Sequence, residues 1–161
     1  MLPLAYFIAF RCYGTWLHGD ERGSVDRHQE TAWGTSALPP NALRERFDES
    51  RMKAPPATLN DDRRAVVEAT IRQTCTARGW HLIALNVRTN HVHVVLGAES
   101  PPEPVLTSLK AWSTRSLREA GLATPTERLW SRHGSIRYLW TASDVEVACE
   151  YVTNGQGADL E

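Results

Sequence analysis

The sequence predicts an α+β fold, a ferredoxin-like split βαβ sandwich in which two helices cover one face of a four-stranded antiparallel sheet. Short apolar and aromatic runs alternate with helical patterns in the order strand, helix, strand, strand, helix, strand. The two middle strands are separated only by residues 88–90, which we interpret as a tight turn. A further helical pattern follows the fourth strand, so we expect an added C-terminal helix that carries a tyrosine.

The first strand is predicted over residues 4–14, a run rich in aromatic and apolar side chains that Gly14 ends. Residues 15–58 are polar and rich in turn-forming residues, with two Pro-Pro pairs and no clear periodicity. Such a long stretch without periodicity is unusual inside a compact domain. We therefore expect a single domain over residues 1–161, with an inserted functional loop or a partly disordered segment at about 15–58.

The first helix is predicted over residues 59–78, where apolar residues recur every four positions and Gly79 supplies a stop. The next strand, residues 80–87, is mostly apolar, which favours a central position in the sheet. After the tight turn, residues 91–97 form the third predicted strand.

The second helix is predicted to begin at Ser100, because a serine N-cap, prolines in the first turn and Glu103 form a capping-box pattern. It continues to Gly121, and one of its faces is predicted to contain Val105, Leu109, Trp112 and Ser116. A loop then leads to the fourth predicted strand, residues 136–140.

The last helix is predicted to begin at Thr141 or Ser143, each followed three residues later by an acid, and to end before Gly155. An apolar stripe on this helix would dock it on the sheet: Val145, Cys149 and Val152. Docking could turn the neighbouring Tyr151 toward the sheet. By itself, Tyr151 would also fit an ordinary core tyrosine of an amphipathic helix.

The composition is that of an ordinary globular protein, with 42% hydrophobic and 23% charged residues. No run approaches the roughly 20 apolar residues that a membrane-spanning helix needs, so no membrane partner is expected. Three widely spaced cysteines argue against a disulfide framework and fit a reducing cytoplasm. The net charge of -1 does not favour a general nucleic-acid coat but allows a local basic groove.

Residues 90–96, with the sequence NHVHVVL, form the most informative segment. Side chains alternate along a strand, so His91 and His93 are predicted to share one face, while the intervening apolar residues face the helices. Two imidazoles in this arrangement can hold one divalent ion. The motif alone is weak, because two histidines on a surface or edge strand would give the same pattern.

Three segments resemble the single-tyrosine HUH transposase family, which includes the insertion-sequence and REP-associated tyrosine transposases. They are YFIAFR at 6–11, NHVH at 90–93 and YVTNGQG at 151–157, and YGTWLHGD at 13–20 is typical of one branch. A His-hydrophobic-His strand followed by a helical tyrosine, in this order of elements, is far more specific than either motif alone.

The resemblance implies a role for each residue of the site. His91 and His93 would be ligands of a divalent metal, magnesium or manganese, and Tyr151 would be the nucleophile that forms a covalent 5′-phosphotyrosine intermediate. A metal ion would polarise the phosphodiester and hold it in line with the nucleophile. A tyrosine hydroxyl is unreactive near neutral pH, so it needs such a metal or a nearby base.

The third metal ligand is where the sequence departs from the family. Insertion-sequence relatives carry a glutamine four residues after the tyrosine, and here that position is Gly155. Gln156, one residue later, could reach the metal if the chain leaves the helix at its two glycine neighbours. Asn154 and a water molecule are the alternatives, and both side chains could also be ordinary polar residues at a helix end.

A local excess of basic residues predicts the DNA surface. The candidates are Lys110, Arg115 and Arg118 in the second helix and Arg128, Arg132 and Arg137 after it. Bases could stack on three tryptophans, namely Trp112, Trp130 and Trp140. The alternative is that these charges form a solvated surface and these tryptophans belong to the core.

These features predict a metal-dependent single-stranded DNA endonuclease and strand transferase, a transposase that acts at hairpin or palindromic DNA. The alternatives are a non-cutting DNA-binding protein of the same fold, a replication-initiator-type nickase and a metal-dependent hydrolase. The family resemblance implies either of two assemblies. Insertion-sequence members are homodimers that exchange the tyrosine helix, whereas REP-associated members are often monomers.

Overall fold

The computed structural model describes residues 1–15 and 54–155. The strands are β1 (Ala5–Arg11), β2 (His81–Val87), β3 (His91–Gly97) and β4 (Ser135–Leu139). The helices are α1 (Asp61–Arg78), α2 (Pro102–Glu119) and α3 (Ala142–Asn154). The strands form one antiparallel sheet in the order β2-β3-β1-β4, which confirms the predicted ferredoxin-like α+β fold.

Most of the predicted inserted loop, residues 16–53, lies outside the described part of the chain, as do residues 156–161. Within the described stretches, none of the helices combines the length and apolar character needed to cross a membrane.

Local sequence explains where α1 begins and ends. Asn60 Oδ1 accepts a hydrogen bond from the backbone N–H of Arg63 at 2.9 Å and so caps the first turn. Gly79 adopts the left-handed conformation with φ of 73°, which a residue without a Cβ does at little cost. Its N–H bonds carbonyls of the last turn, so the predicted stop at Gly79 is confirmed.

The start of α2 differs from the prediction. The N-cap residue is Pro101 rather than Ser100, and no side chain caps the first turn, so the predicted capping box with Glu103 is wrong. Pro101 precedes a second proline, which disfavours the helical conformation and leaves Pro101 extended, with ψ of 150°. The carbonyl of Ser100 instead accepts a hydrogen bond from the Tyr6 hydroxyl at 3.2 Å.

β2 lies at an edge of the sheet, so the central position predicted from its apolar sequence is wrong. Both faces of this edge strand are nevertheless partly covered. Leu82 and Leu85 pack against the core beneath α1 and α2, while Ala84 packs on the opposite side, in the cluster around α3. A strand that is covered on both faces needs the same apolar composition at an edge as in the centre.

The two sides of the sheet face different layers. On the helix-covered face, beneath α1 and α2, β1 and β3 contribute a row of buried apolar side chains: Ile8, Phe10, Val92, Val94 and Leu96. On the opposite side, the α3 face, Phe7 and Val95 pack with Ala148 and Val152 of α3. The alternation predicted for β3 is therefore confirmed.

The buried face of α2 follows a slightly different line from the predicted one. Leu109, Ser113 and Leu117 are fully buried, whereas Trp112 is 40% exposed, so its place on the buried face was wrong. After Leu109 the buried positions continue at steps of four residues, which rotates Trp112 out toward solvent.

α3 begins with the capping box that the sequence predicted. Thr141 Oγ1 accepts a hydrogen bond from the N–H of Asp144 at 3.1 Å, and the Asp144 carboxylate accepts one from the N–H of Thr141 at 3.3 Å. The helix ends where Gly155 N–H donates to the Tyr151 carbonyl at 3.0 Å. Ala148 and Val152 are its buried residues, and they hold α3 on the sheet by apolar contact.

Candidate active site

His91 and His93 lie side by side on the α3 face of β3. Their ring centroids are 4.7 Å apart, and the two residues are only 8% and 7% exposed. The predicted shared face is therefore observed, and α3 covers part of it. The covering helix is also what brings the tyrosine to the histidines.

Asn90, immediately before the pair, orients the first imidazole. Its side-chain oxygen lies 2.5 Å from His91 Nδ1, and an amide oxygen can only accept, so Nδ1 carries the proton. In the neutral imidazole, the Nε2 atom of His91 is then the unprotonated nitrogen. A histidine whose second nitrogen donates in this way is in the tautomer and orientation that a metal ligand requires.

Tyr151 of α3 lies next to the second histidine. Its ring centroid is 5.6 Å from that of His93 and 6.0 Å from that of Phe7, which in turn lies 5.4 Å from His93. Tyr151 is 41% exposed, so it is not a fully packed core tyrosine. The helix thus holds a solvent-accessible phenol against a nearly buried imidazole pair.

Arg137 is a charged residue buried on the same face. It is the β4 partner of Phe7 and is 8% exposed. Burial lowers the pKa of its guanidinium, and the nearby Tyr151 opposes that shift. A positive charge therefore lies close to the phenol, within reach of an anionic group that approaches it.

The end of α3 is where the sequence predicts the third metal ligand. Gly155 lies against the Tyr151 ring, and a Cβ at this position would approach Tyr151 Cδ2 to 3.1 Å and Cα to 3.0 Å. Asn154 is exposed, and its amide donates to the Glu150 carboxylate at 3.2 Å. Gln156 lies outside the described residues. Within residues 1–15 and 54–155, no three His, Cys, Asp or Glu side chains form a metal-binding group.

Three of the predicted DNA-contacting residues lie on α2, on the other side of the sheet from the histidines. Lys110 Nζ donates to the carbonyls of Ser131 and His133, and burial lowers its pKa to about 8. Arg115 pairs with Glu119 at 2.9 Å. The α2 part of the predicted basic surface is therefore separate from the histidine and tyrosine site.

The remaining candidates are distributed around the loop that follows α2. Arg128 and Arg132 are exposed, and so is Arg118 at the end of α2, whose Nε donates to the carbonyl of Thr124 in this loop at 3.3 Å. Trp130 packs edge-on against Phe10 of the core, with ring centroids 5.0 Å apart. Trp140 is 46% exposed, so of the three tryptophans it and Trp112 present a ring to solvent.

Sequence reasoning did not identify Asn86 as part of this site. The Asn86 amide donates to the carbonyl of Val152 at 2.9 Å, and Asn86 is the β2 partner of His93. The available signal was a single amide in the otherwise apolar end of a strand, LIALNV. Such a residue usually has a specific hydrogen-bond partner.

Residues 51–155 match the sequence model of a family described as IS200-like transposases. This range includes β2, β3 and α3, and with them both histidines and Tyr151. The chain belongs to the IS200-like transposase family. The expected family is thereby confirmed, and a transposase role follows from it at the level of the family.

Two solved structures resemble the fold of this transposase-family chain. One is a candidate transposase from Deinococcus radiodurans R1, with 18% identity, a TM-score of 0.48 and coverage of 98% of this chain and 95% of that one. The other is a REP-associated tyrosine transposase bound to a REP hairpin, with 10% identity, a TM-score of 0.48 and coverage of 94% and 66%. No curated protein matches the sequence.

Proposed function

We propose that this protein cuts and rejoins single-stranded DNA at hairpin or palindromic ends, with Tyr151 as the nucleophile. The observation that carries the proposal is the distance of 5.6 Å between the Tyr151 and His93 ring centroids. Tyr151 is 41% exposed, so a DNA strand could approach its hydroxyl from solvent. A tyrosine nucleophile needs a nearby metal ion or base to activate its hydroxyl, and His91 and His93 would hold such an ion.

His91 and His93 fit a divalent metal site. The hydrogen bond from His91 Nδ1 to Asn90 leaves Nε2 as the metal-binding nitrogen. Magnesium and manganese both prefer oxygen ligands, so either ion would complete its coordination beside the two imidazoles with water, an amide oxygen or the phosphate. When bound, the ion would supply positive charge to the phosphate oxygens. Gln156 is our proposed third ligand, with Asn154 and water as alternatives.

In the proposed cleavage step, the Tyr151 oxygen attacks phosphorus. A bond forms between this oxygen and phosphorus, and the bond from phosphorus to the 3′ oxygen breaks. The phenol loses its proton to solvent, and the departing 3′ oxygen takes one up, so atoms and charge balance. A 3′ hydroxyl from another strand end can reverse the step, because the phosphotyrosine retains a reactive phosphodiester.

Arg137 is the DNA-contacting candidate that lies within this site. Its guanidinium presents several N–H donors on the face that holds Tyr151, and such donors form charge-assisted hydrogen bonds with a phosphate. The other proposed contacts, Lys110, Arg115, Arg118, Arg128 and Arg132, would bind DNA that extends beyond the site. The homodimer stays a prediction.

Tyr151→Phe tests the proposal directly. The change removes one oxygen and keeps the ring contacts with His93 and Phe7, so the melting temperature and DNA affinity should be retained. Cleavage of a hairpin-bearing single strand in manganese, and the covalent protein–DNA adduct, should both disappear. Mass spectrometry of the digested wild-type adduct should find the nucleotide on Tyr151.

Other outcomes would contradict the proposal in distinct ways. A nucleotide on Tyr6, Tyr13 or Tyr138 would refute the assignment of the nucleophile. Cleavage without an adduct would indicate a water nucleophile and hence a hydrolase. Binding without cleavage by the wild type would favour the non-cutting DNA-binding protein.

A further inference from the structure

Asn86 connects the strand next to the histidines with the helix that carries the tyrosine. Its Nδ2 donates to the carbonyl of Val152 at 2.9 Å, and Val152 directly follows Tyr151. In the sheet, Asn86 is the cross-strand partner of His93. Asn86 therefore lies beside the proposed metal ligand, His93, and its side chain bonds the residue that follows the proposed nucleophile, Tyr151.

The hydrogen bond lies where α3 needs a donor. The last four carbonyls of a helix have no N–H partner within the helix, and α3 ends at Asn154. Gly155 N–H bonds the carbonyl of Tyr151, and Asn86 bonds the next one, that of Val152. The sheet itself therefore supplies a cap for the C-terminal turn that contains Tyr151.

The buried cluster between α3 and the sheet is apolar. Phe7, Ala84 and Val95 meet Ala148 and Val152, which gives attraction with little directional preference. Small side chains such as Ala84 and Ala148 would allow the helix to rotate or slide by a fraction of an ångström. A hydrogen bond has a defined length and angle, so it selects one rotation and one register.

We propose that Asn86 is a positioning residue that fixes α3 on its own sheet and thereby sets Tyr151 against His93. The expected effect on cleavage rests on the proposed function, whereas the expected effect on the position of α3 does not. His93 pairs with Asn86 across the strands, and Asn86 bonds the carbonyl of Val152. Val152 follows Tyr151 in the chain, and the Tyr151 ring contacts His93. These contacts form a closed ring. Because the contacts form a closed ring, each of them limits the positions that the Tyr151 phenol can take relative to His93.

Asn86→Asp is the sharpest variant, because a carboxylate has the shape of the amide but cannot donate to a carbonyl when ionised. At saturating DNA, the rate of adduct formation should fall about 10- to 100-fold, the effect of a small misplacement of a reacting group. The affinities for DNA and for manganese should stay within about twofold, since Asn86 is not proposed to touch either. Asn86→Gln, which retains the donor, should restore part of the rate.

Asn60→Ala is the matched control. It also removes an asparagine hydrogen bond at a helix end, the 2.9 Å bond to Arg63 N–H, but on α1 and the helix-covered face. We expect a similar loss of stability and no change in the rate per folded molecule. An equal loss of rate in Asn60→Ala and Asn86→Asp would mean that general destabilisation explains both, and would overturn the inference.

Hydrogen exchange without DNA tests the same inference independently of activity. In Asn86→Asp, amide protons in the last two turns of α3 should exchange about tenfold faster, while those of α2 are unchanged. Unchanged exchange in α3 would overturn the inference even if cleavage is slow. A wild-type protein that forms no adduct would defeat the proposed function instead, and the exchange result would still decide the role of Asn86.

Discussion

The two faces of the sheet are formed by alternate residues of the same strands, yet they differ in chemistry. The helix-covered face of β1 and β3 is apolar except for the Tyr6 hydroxyl, and its side chains pack beneath α1 and α2. Among the described residues, the buried histidine and arginine side chains of the strands all lie on the α3 face, and they are His91, His93 and Arg137. One face therefore carries stability, and the other carries the groups that could act on a phosphodiester.

The difference shows how one small sheet can combine a packed core with a candidate active site on its other face. The helix-covered face is sealed by two helices of 18 residues each, whereas the α3 face is covered only in part by one helix of 13. The shorter cover brings Tyr151 to the histidines and leaves the phenol 41% exposed. Changes on the two faces should consequently have separable effects.

The largest effect is expected from the histidines. His91→Ala or His93→Ala removes a proposed metal ligand, so cleavage that depends on a divalent ion should fall below detection while the protein stays folded. Isothermal titration with manganese should show the loss of binding. His81→Ala is the matched control, because His81 is an exposed histidine of β2, and it should behave as the wild type. Full cleavage by wild type in chelator would contradict the metal-dependent mechanism.

A core substitution on the opposite face should give the reverse pattern. Leu109 is fully buried in the core beneath α2, so Leu109→Ala should cost about 2–5 kcal/mol in the free energy of unfolding. Urea denaturation measures this cost. The rate of adduct formation per folded molecule should stay close to that of wild type at a temperature where the variant is folded. A large loss of that rate would mean that the two faces are not separable.

Gly155→Ala should have a smaller effect, confined to the α3 face. Its φ of -95° accommodates alanine, but the new Cβ would lie about 3 Å from Tyr151, so the ring must move or the helix end must open. We expect the single-turnover cleavage rate to fall by about 3- to 10-fold with unchanged manganese affinity. An unchanged rate would indicate that the ring position is not critical for the chemistry.

The smallest effects should come from neutralising single arginines. They distinguish DNA that binds on the α3 face from DNA that binds along α2. Arg137→Gln should lower the slope of log affinity against log salt by about one, as expected for one lost phosphate contact. Arg115→Gln should lower it less, because Arg115 already pairs with Glu119. Fluorescence anisotropy with a hairpin oligonucleotide at several salt concentrations measures both. A larger change for Arg115 would mean that DNA lies mainly along α2.

The sequence by itself determined the order of elements, the family and the shared face of His91 and His93. These follow from local rules: the alternation of side chains along a strand, the stop at Gly79 and the capping box of Thr141 with Asp144. The start of α2 was displaced by one residue, because two successive prolines outweighed the N-cap preference of Ser100. Such errors are small because they depend only on neighbouring residues.

Only the tertiary structure decided which elements meet. An apolar strand has the same sequence at an edge as in the centre when helices cover both of its faces, so β2 could not be assigned correctly from its composition. The contact of Tyr151 with His93, the burial of Arg137 beside them and the bond from Asn86 to Val152 join residues that are far apart in the chain. These contacts depend on the rotation and register of α3 on the sheet, which periodicity within the helix does not specify.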